Sequence, residues 1–112
     1  MKTTPASEAR QVRVLRALGD ATRYRMVAEL AAAGELCCGA IGERFPLAQP
    51  TISHHVKVLA EAGLITVRRR GQLVLLSLNR AALEAALAAA GRQLAPPGRA
   101  RQGGKKRSTQ EE

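Results

Sequence analysis

Gln49-Pro50-Thr51-Ile52-Ser53-His54-His55-Val56-Lys57-Val58-Leu59-Ala60-Glu61-Ala62-Gly63-Leu64-Ile65-Thr66-Val67-Arg68-Arg69-Arg70-Gly71 is the stretch whose reading decides the fold. Pro50 suits the first turn of a helix, where its missing N–H costs nothing. Gly63 suits the position just past a helix end, so a helix is predicted over 50–62. At about 100° per residue, Ile52, His55, Val56 and Leu59 fall on one face, the predicted core face, and Pro50, His54, Lys57 and Glu61 fall opposite. Thr51 and Ser53 lie at the edges, and Gln49 directly precedes the helix. The outward face therefore holds short polar groups and a cation and no large apolar residue. Such a face can reach base edges in a major groove; the plainer alternative is an ordinary solvated helix surface. Two strand-like runs, 64–67 and 73–78, flank the basic, Gly-containing segment Arg68-Arg69-Arg70-Gly71-Gln72 and read as a β-hairpin. Three consecutive arginines at its tip suit phosphate or minor-groove contact. A charged edge that blocks strand-to-strand aggregation is the alternative.

Working outward, Ser7 and Asp20 are placed to cap helices. From Ser7 the apolar positions Val12, Leu15 and Leu18, with Val14 beside them, recur at helical spacing until Gly19. Asp20 opens a second helix with Met26, Val27, Leu30 and Ala31 as its stripe, ending at Gly34. A short third helix is predicted from residue 35 or 36 to 44, with Leu36, Ala40 and Ile41 inward and Gly39 and Gly42 allowing close packing; Phe45-Pro46 stops it. Asn79 caps a last helix over 80–90, with Leu83 and Leu87 one turn apart and Gly91 as its end. The fold class is mainly α with a β-hairpin, in the order α-α-α-α-β-β-α of a winged helix-turn-helix. Residues 1–6 read as a flexible start, 7–91 as the folded domain and 92–112, with its Pro, Gly and Lys/Arg content, as a basic disordered tail.

The chain of 112 residues carries a formal charge of +9, of which 1–91 hold +5 (12 basic, 7 acidic) and 92–112 hold +4 (6 basic, 2 acidic). This length fits one domain of roughly 100–150 residues, and 46% hydrophobic residues suffice for a core. Excess cations in both parts point to a polyanion. Aromatic residues make up only 2%, too few for stacking unpaired bases, which favours double-stranded DNA. No apolar run approaches the ~18 residues of a membrane span, and residues 1–20 lack the apolar core of a secretory signal. A cytoplasmic location is expected, with no membrane partner. The adjacent pair Cys37-Cys38 is a poor disulfide framework and fits a reducing compartment.

The run Leu18-Gly19-Asp20-Ala21-Thr22-Arg23-Tyr24-Arg25-Met26 resembles the opening of the ArsR/SmtB family of bacterial winged-helix repressors. The stretch from Gln49 to Leu59 resembles that family's recognition helix, and Ala62-Gly63-Leu64-Ile65 with the arginines continues the match, over about residues 10–90 in all. The resemblance implies a homodimer that binds an inverted-repeat operator and leaves it when an inducer binds. It implies Gln49, Thr51, Ser53, His54, Lys57, Arg68, Arg69 and Arg70 as DNA contacts. It also implies a dimer interface on the first and last helices, through Val12, Leu15, Leu18, Leu83 and Leu87. No cofactor is required.

Many relatives bind arsenite, antimonite or soft divalent metals at a Glu-Leu-Cys-x-Cys segment. Here Glu35-Leu36-Cys37-Cys38-Gly39 keeps the first thiol, replaces the second by Gly39 and a later one by Gly42, and shifts Cys38 by one residue. Thiolates suit soft ions, so As(III) or Sb(III) at Cys37 and Cys38 is the expected inducer. The third ligand would be water, an added thiol or a cysteine of another protomer. The alternatives are a cysteine packed as a small hydrophobe and a redox response without metal. The family's second metal site needs Asp and His on the last helix, which offers only Glu84, so it is absent. His54 and His55 diverge on their helix and cannot share one ion. Two further classes remain beside a sequence-specific repressor: a non-specific architectural DNA binder, and a thiol enzyme, for which neither histidine is placed as a base.

Overall fold

The computed structural model describes residues 5–97. Its elements, in order, are α1 (Pro5–Leu18), α2 (Ala21–Ala33), β1 (Glu35–Cys37), α3 (Cys38–Arg44), α4 (Gln49–Glu61), β2 (Ile65–Arg70), β3 (Leu73–Leu78) and α5 (Arg80–Leu94). This is the winged helix-turn-helix expected, with one strand more. Met26, Leu30, Ile41, Ile52, Leu59, Leu64 and Leu76 are almost wholly buried and form the centre of one core shared by the helices and the sheet. None of the described helices is long and apolar enough to cross a membrane.

Local chemistry sets the element ends. Asp20 Oδ2 accepts the Arg23 N–H at 3.0 Å and caps α2. That bond is also the main reason the Asp20 carboxyl is held below its ordinary range. Asn79 Oδ1 accepts the Ala82 N–H at 3.1 Å and caps α5. Phe45, before Pro46, is extended at φ −125° and ψ 114° and ends α3. Gly63 follows α4 at φ 82° and Gly71 turns the hairpin tip at φ 61°, both in the left-handed region that glycine enters without strain.

Several expectations are corrected. Ser7 does not cap α1; the helix begins at Pro5, so Pro5 and Ala6 are helical rather than a flexible start. Gln49 is the first residue of α4, not the residue before it. The segment Glu35–Cys37 is a strand, paired antiparallel to β3 as Glu35↔Ser77, Leu36↔Leu76 and Cys37↔Leu75. The sheet is therefore three-stranded, in the order β1-β3-β2. Only α3 follows, from Cys38, and Gly42 meets no neighbour that a methyl group would touch, so close packing does not explain it. At the other end α5 passes through Gly91 to Leu94. A helical glycine costs about 1 kcal/mol, and contacts beyond it oppose that cost: Gln93 Nε2 donates to Glu8 Oε2 of α1 at 2.6 Å. The stop comes at Ala95, made extended by the following Pro96. Residues 92–94 are thus helix rather than tail; residues 1–4 and 98–112 lie outside the described residues.

The sheet positions the functional surface. β2 and β3 pair from Ile65↔Leu78 to Arg70↔Leu73. Leu64 O accepts the Asn79 N–H at 2.8 Å, closing the base of the wing under α4. Leu76 is 1% exposed at the middle of β3. Leu76→Ala should cost about 2–5 kcal/mol, seen as a lower urea midpoint with an unchanged denaturant slope.

Candidate nucleic-acid interface and thiol pair

Two residues seven positions apart, Ile52 and Leu59, anchor α4 in the core, and Val56 packs against it. The opposite surface is free: Gln49, Thr51, Ser53, His54 and Lys57 are all exposed. Lys57 Nζ lies 4.0 Å from Glu61 Oε2, one turn on, in a solvated pair that leaves it available to a stronger anion. A four-residue connection, 45–48, joins α3 to α4. Arg68, Arg69 and Arg70 are exposed on β2 beside the Gly71 turn. The outward face of α4 and the wing arginines thus carry the cations and short polar groups that duplex DNA requires.

Two long-range contacts fix these surfaces, and neither has a local signal in the sequence. Arg23 Nη1 lies 3.3 Å from His55 Nδ1, although 32 residues separate them. Arginine only donates, so in this contact Nδ1 is the acceptor. The same guanidinium donates from Nε to Ala17 O at 2.8 Å. Arg23 therefore straps α4 to the end of α1, and half-buried His55 is structural, as its place on the core face predicts. The second contact removes one wing arginine from the free set. Arg68 Nη2 donates to Glu35 Oε2 at 2.8 Å, while Arg69 and Arg70 have no ion pair among the described residues.

Cys37 closes β1 and stands at the N-cap of α3; Cys38 is the first residue of that helix. The two thiols are thus at a strand–helix junction, not on one helical wheel. Both are free and half-buried, and Cys38 packs against the hydrophobic core. Burial raises the Cys38 thiol pKa, neighbouring Cys37 adds to the rise, and Arg69 opposes it. A Cβ added at Gly39 would stand 3.9 Å from Cys37 Sγ, so that position adjoins the first sulfur. Among the described residues no group of three or more His, Cys, Asp or Glu could hold a metal ion.

A helix-turn-helix domain model matches residues 18–68. The transcriptional repressor SdpR of Bacillus subtilis (strain 168) is 38% identical over 71 residues, 63% of this chain and 78% of that protein. An arsenical resistance operon repressor of Staphylococcus aureus is also 38% identical over 71 residues, 63% of this chain and 67% of that one. The chain belongs to the ArsR/SmtB family of winged helix-turn-helix transcriptional repressors. The fold agrees: an ArsR-like transcriptional regulator from Rhodococcus sp. RHA1 superposes with a TM-score of 0.70 at 23% identity, covering 79% of this chain and 82% of that one.

As an ArsR/SmtB repressor, the protein is a DNA-binding regulator, and it leaves one apolar surface uncovered. Val12, Leu15 and Leu87 are 45%, 38% and 47% exposed, whereas Leu18 and Leu83 pack partly into the chain's own core. Leu94, which the sequence reading placed in the tail, adds to the exposed set at 76%. The Cys38 assignment is testable: in a Cys37→Ser variant at pH 8, Cys38 should react with iodoacetamide more slowly than a cysteine in an unstructured peptide, because a raised pKa leaves less thiolate.

Proposed function

We propose that the protein is a homodimeric, sequence-specific repressor that reads an inverted-repeat operator. In this reading α4 enters the major groove through Gln49, Thr51, Ser53, His54 and Lys57, and the wing arginines bind flanking phosphates or the minor groove. The observation that carries it is the pairing of an exposed helix face bearing Gln49, Thr51, Ser53, His54 and Lys57 with Arg69 and Arg70 on the adjoining wing, which have no ion pair among the described residues. The uncovered residues Val12, Leu15 and Leu87 on α1 and α5 support self-association through those helices. The +4 of residues 92–112 adds sequence-independent attraction to DNA.

For the inducer, the reading is a thiophilic trivalent ion, As(III) or Sb(III), held by Cys37 and Cys38. The position of Cys37 in a Glu-Leu-Cys segment supports it, as does similarity to the arsenical resistance operon repressors of Staphylococcus aureus and Staphylococcus xylosus. Two thiolates without His or carboxylate partners suit such an ion better than zinc. The ion must favour a non-binding conformation to release DNA; tight binding alone does nothing. Capture must also draw Cys38 out of the core, which strains the start of α3 and so the connection to α4. The core packing of Cys38 favours a second reading, a repressor with no metalloid inducer.

Arg69→Ala should weaken binding to every duplex and lower the salt slope by about one. Ser53→Ala or His54→Ala should instead change which bases are preferred. Equal losses on operator and random DNA from the helix variants would indicate an architectural binder. For the inducer, arsenite should release the wild type from its own promoter fragment, zinc should not, and each single Cys→Ser change should abolish release with resting affinity unchanged. Gly39→Cys, which sets a sulfur beside Cys37, should lower the arsenite concentration needed. Release from the double Cys→Ser variant, or none from the wild type, removes the metalloid from the proposal and leaves the second reading.

A further inference from the structure

Side chains alternate between the two faces of a sheet, and cross-strand partners share a face. Leu36, Leu76 and Val67 form one such row, and central Leu76 is in the core. Glu35, Ser77 and Thr66 form the next row on the opposite face, followed on that face by Cys37, Leu75 and Arg68. Arg68 is therefore one row away from Glu35 and two strands across. Its side chain spans β3 to donate to Glu35 Oε2 at 2.8 Å, and Ser77 Oγ donates to the same oxygen at 3.0 Å. Hydrogen bonds from Arg68 and then Ser77 hold the Glu35 carboxyl below its ordinary range, so it is ionised at neutral pH. The two side chains are 52% and 39% exposed, so the pair is solvated, salt-sensitive and able to open.

We propose that Glu35 is an internal counter-ion of the wing: it folds Arg68 back across β3, away from the tip, so that the free protein offers DNA phosphates Arg69 and Arg70 but not Arg68. Glu35 is then a positioning residue for DNA binding, acting through Arg68 and lowering affinity for any duplex. This rests on the reading of the wing as a DNA-contacting element. It also gives β1 a regulatory place, since Glu35 and Cys37 share a face of the same three-residue strand. Moving that strand changes the charge the wing presents.

The test measures binding of the full chain to a labelled duplex of random sequence across a salt series. Glu35→Gln keeps the side-chain shape and an acceptor for Ser77 while removing the charge. It should bind about two- to fivefold more tightly at low salt and steepen the salt slope by about one. Arg68→Ala added to Glu35→Gln should erase the whole gain, as a double-mutant cycle reads coupling. A gain that survives without Arg68 comes from net charge alone and overturns the proposal. So does Glu35→Gln binding no more tightly than wild type with an unchanged melting temperature. Should Glu35→Gln melt early, Glu35→Asp, one methylene shorter and still anionic, should give a smaller gain in the same direction; no gain there overturns the proposal as well. Arg69→Ala separates the two levels: if it binds as the wild type does, the wing reading falls and the counter-ion with it, whereas if it weakens binding while Glu35→Gln does not tighten it, only the counter-ion falls.

Discussion

Backbone pairing on both edges of β3 is the constraint from which the rest of the molecule follows. On one edge β3 carries β2 and so aims the wing; on the other it carries β1, which delivers the chain into α3. Leu76, in the middle of β3, is also part of the core against which α2, α3 and α4 pack. One strand therefore relates the helix-turn-helix to the hairpin. A shift of β3 by one residue would exchange its core and solvent faces, turning Leu76 outward and breaking the row that joins Glu35 to Ser77.

Within that frame α4 gives little of itself to stability. Its buried contribution is a narrow stripe, Ile52 and Leu59 with Val56 beside them, and the Arg23–His55 contact steadies its orientation from outside the core. A helix held along a narrow line keeps the rest of its circumference for contact with a partner. The same economy operates on α1 and α5, where Val14, Ala17, Ala86 and Ala90 pack inward while Val12, Leu15 and Leu87 stay uncovered. Buried Gln11, a polar residue among these apolar contacts, was not singled out by the sequence pattern.

What was legible in the sequence had a local cause. The helices announced themselves through periodicity, the α2 and α5 starts through Asp20 and Asn79, the α4 boundaries through Pro50 and Gly63, and the hairpin through β-branched runs about a glycine. What was missed depends on residues far apart in the chain. Nothing in Glu35-Leu36-Cys37 distinguishes a strand from a first helical turn until Ser77, Leu76 and Leu75 arrive to pair with it. Gly91 looked like a stop because its own preference is weak, and the Glu8–Gln93 contact and the later Pro96 decide otherwise. The outward face of α4 was read from the wheel, but the tethering of Arg68, alone in the arginine run among the described residues, needs Glu35, 33 residues earlier.

The brevity of β1 bears on how the protein behaves as a colloid. β3 reads Leu-Val-Leu-Leu-Ser-Leu, an uncharged, strand-prone sequence of the kind that templates pairing with other chains when its edge is bare. Three residues of β1 cover that edge, and the last of them is a thiol-bearing residue next to a second. Bulky modification or over-oxidation of this junction would detach the cover and expose the β3 edge. Thiol damage in this molecule would therefore register as lost solubility, through intermolecular sheet growth.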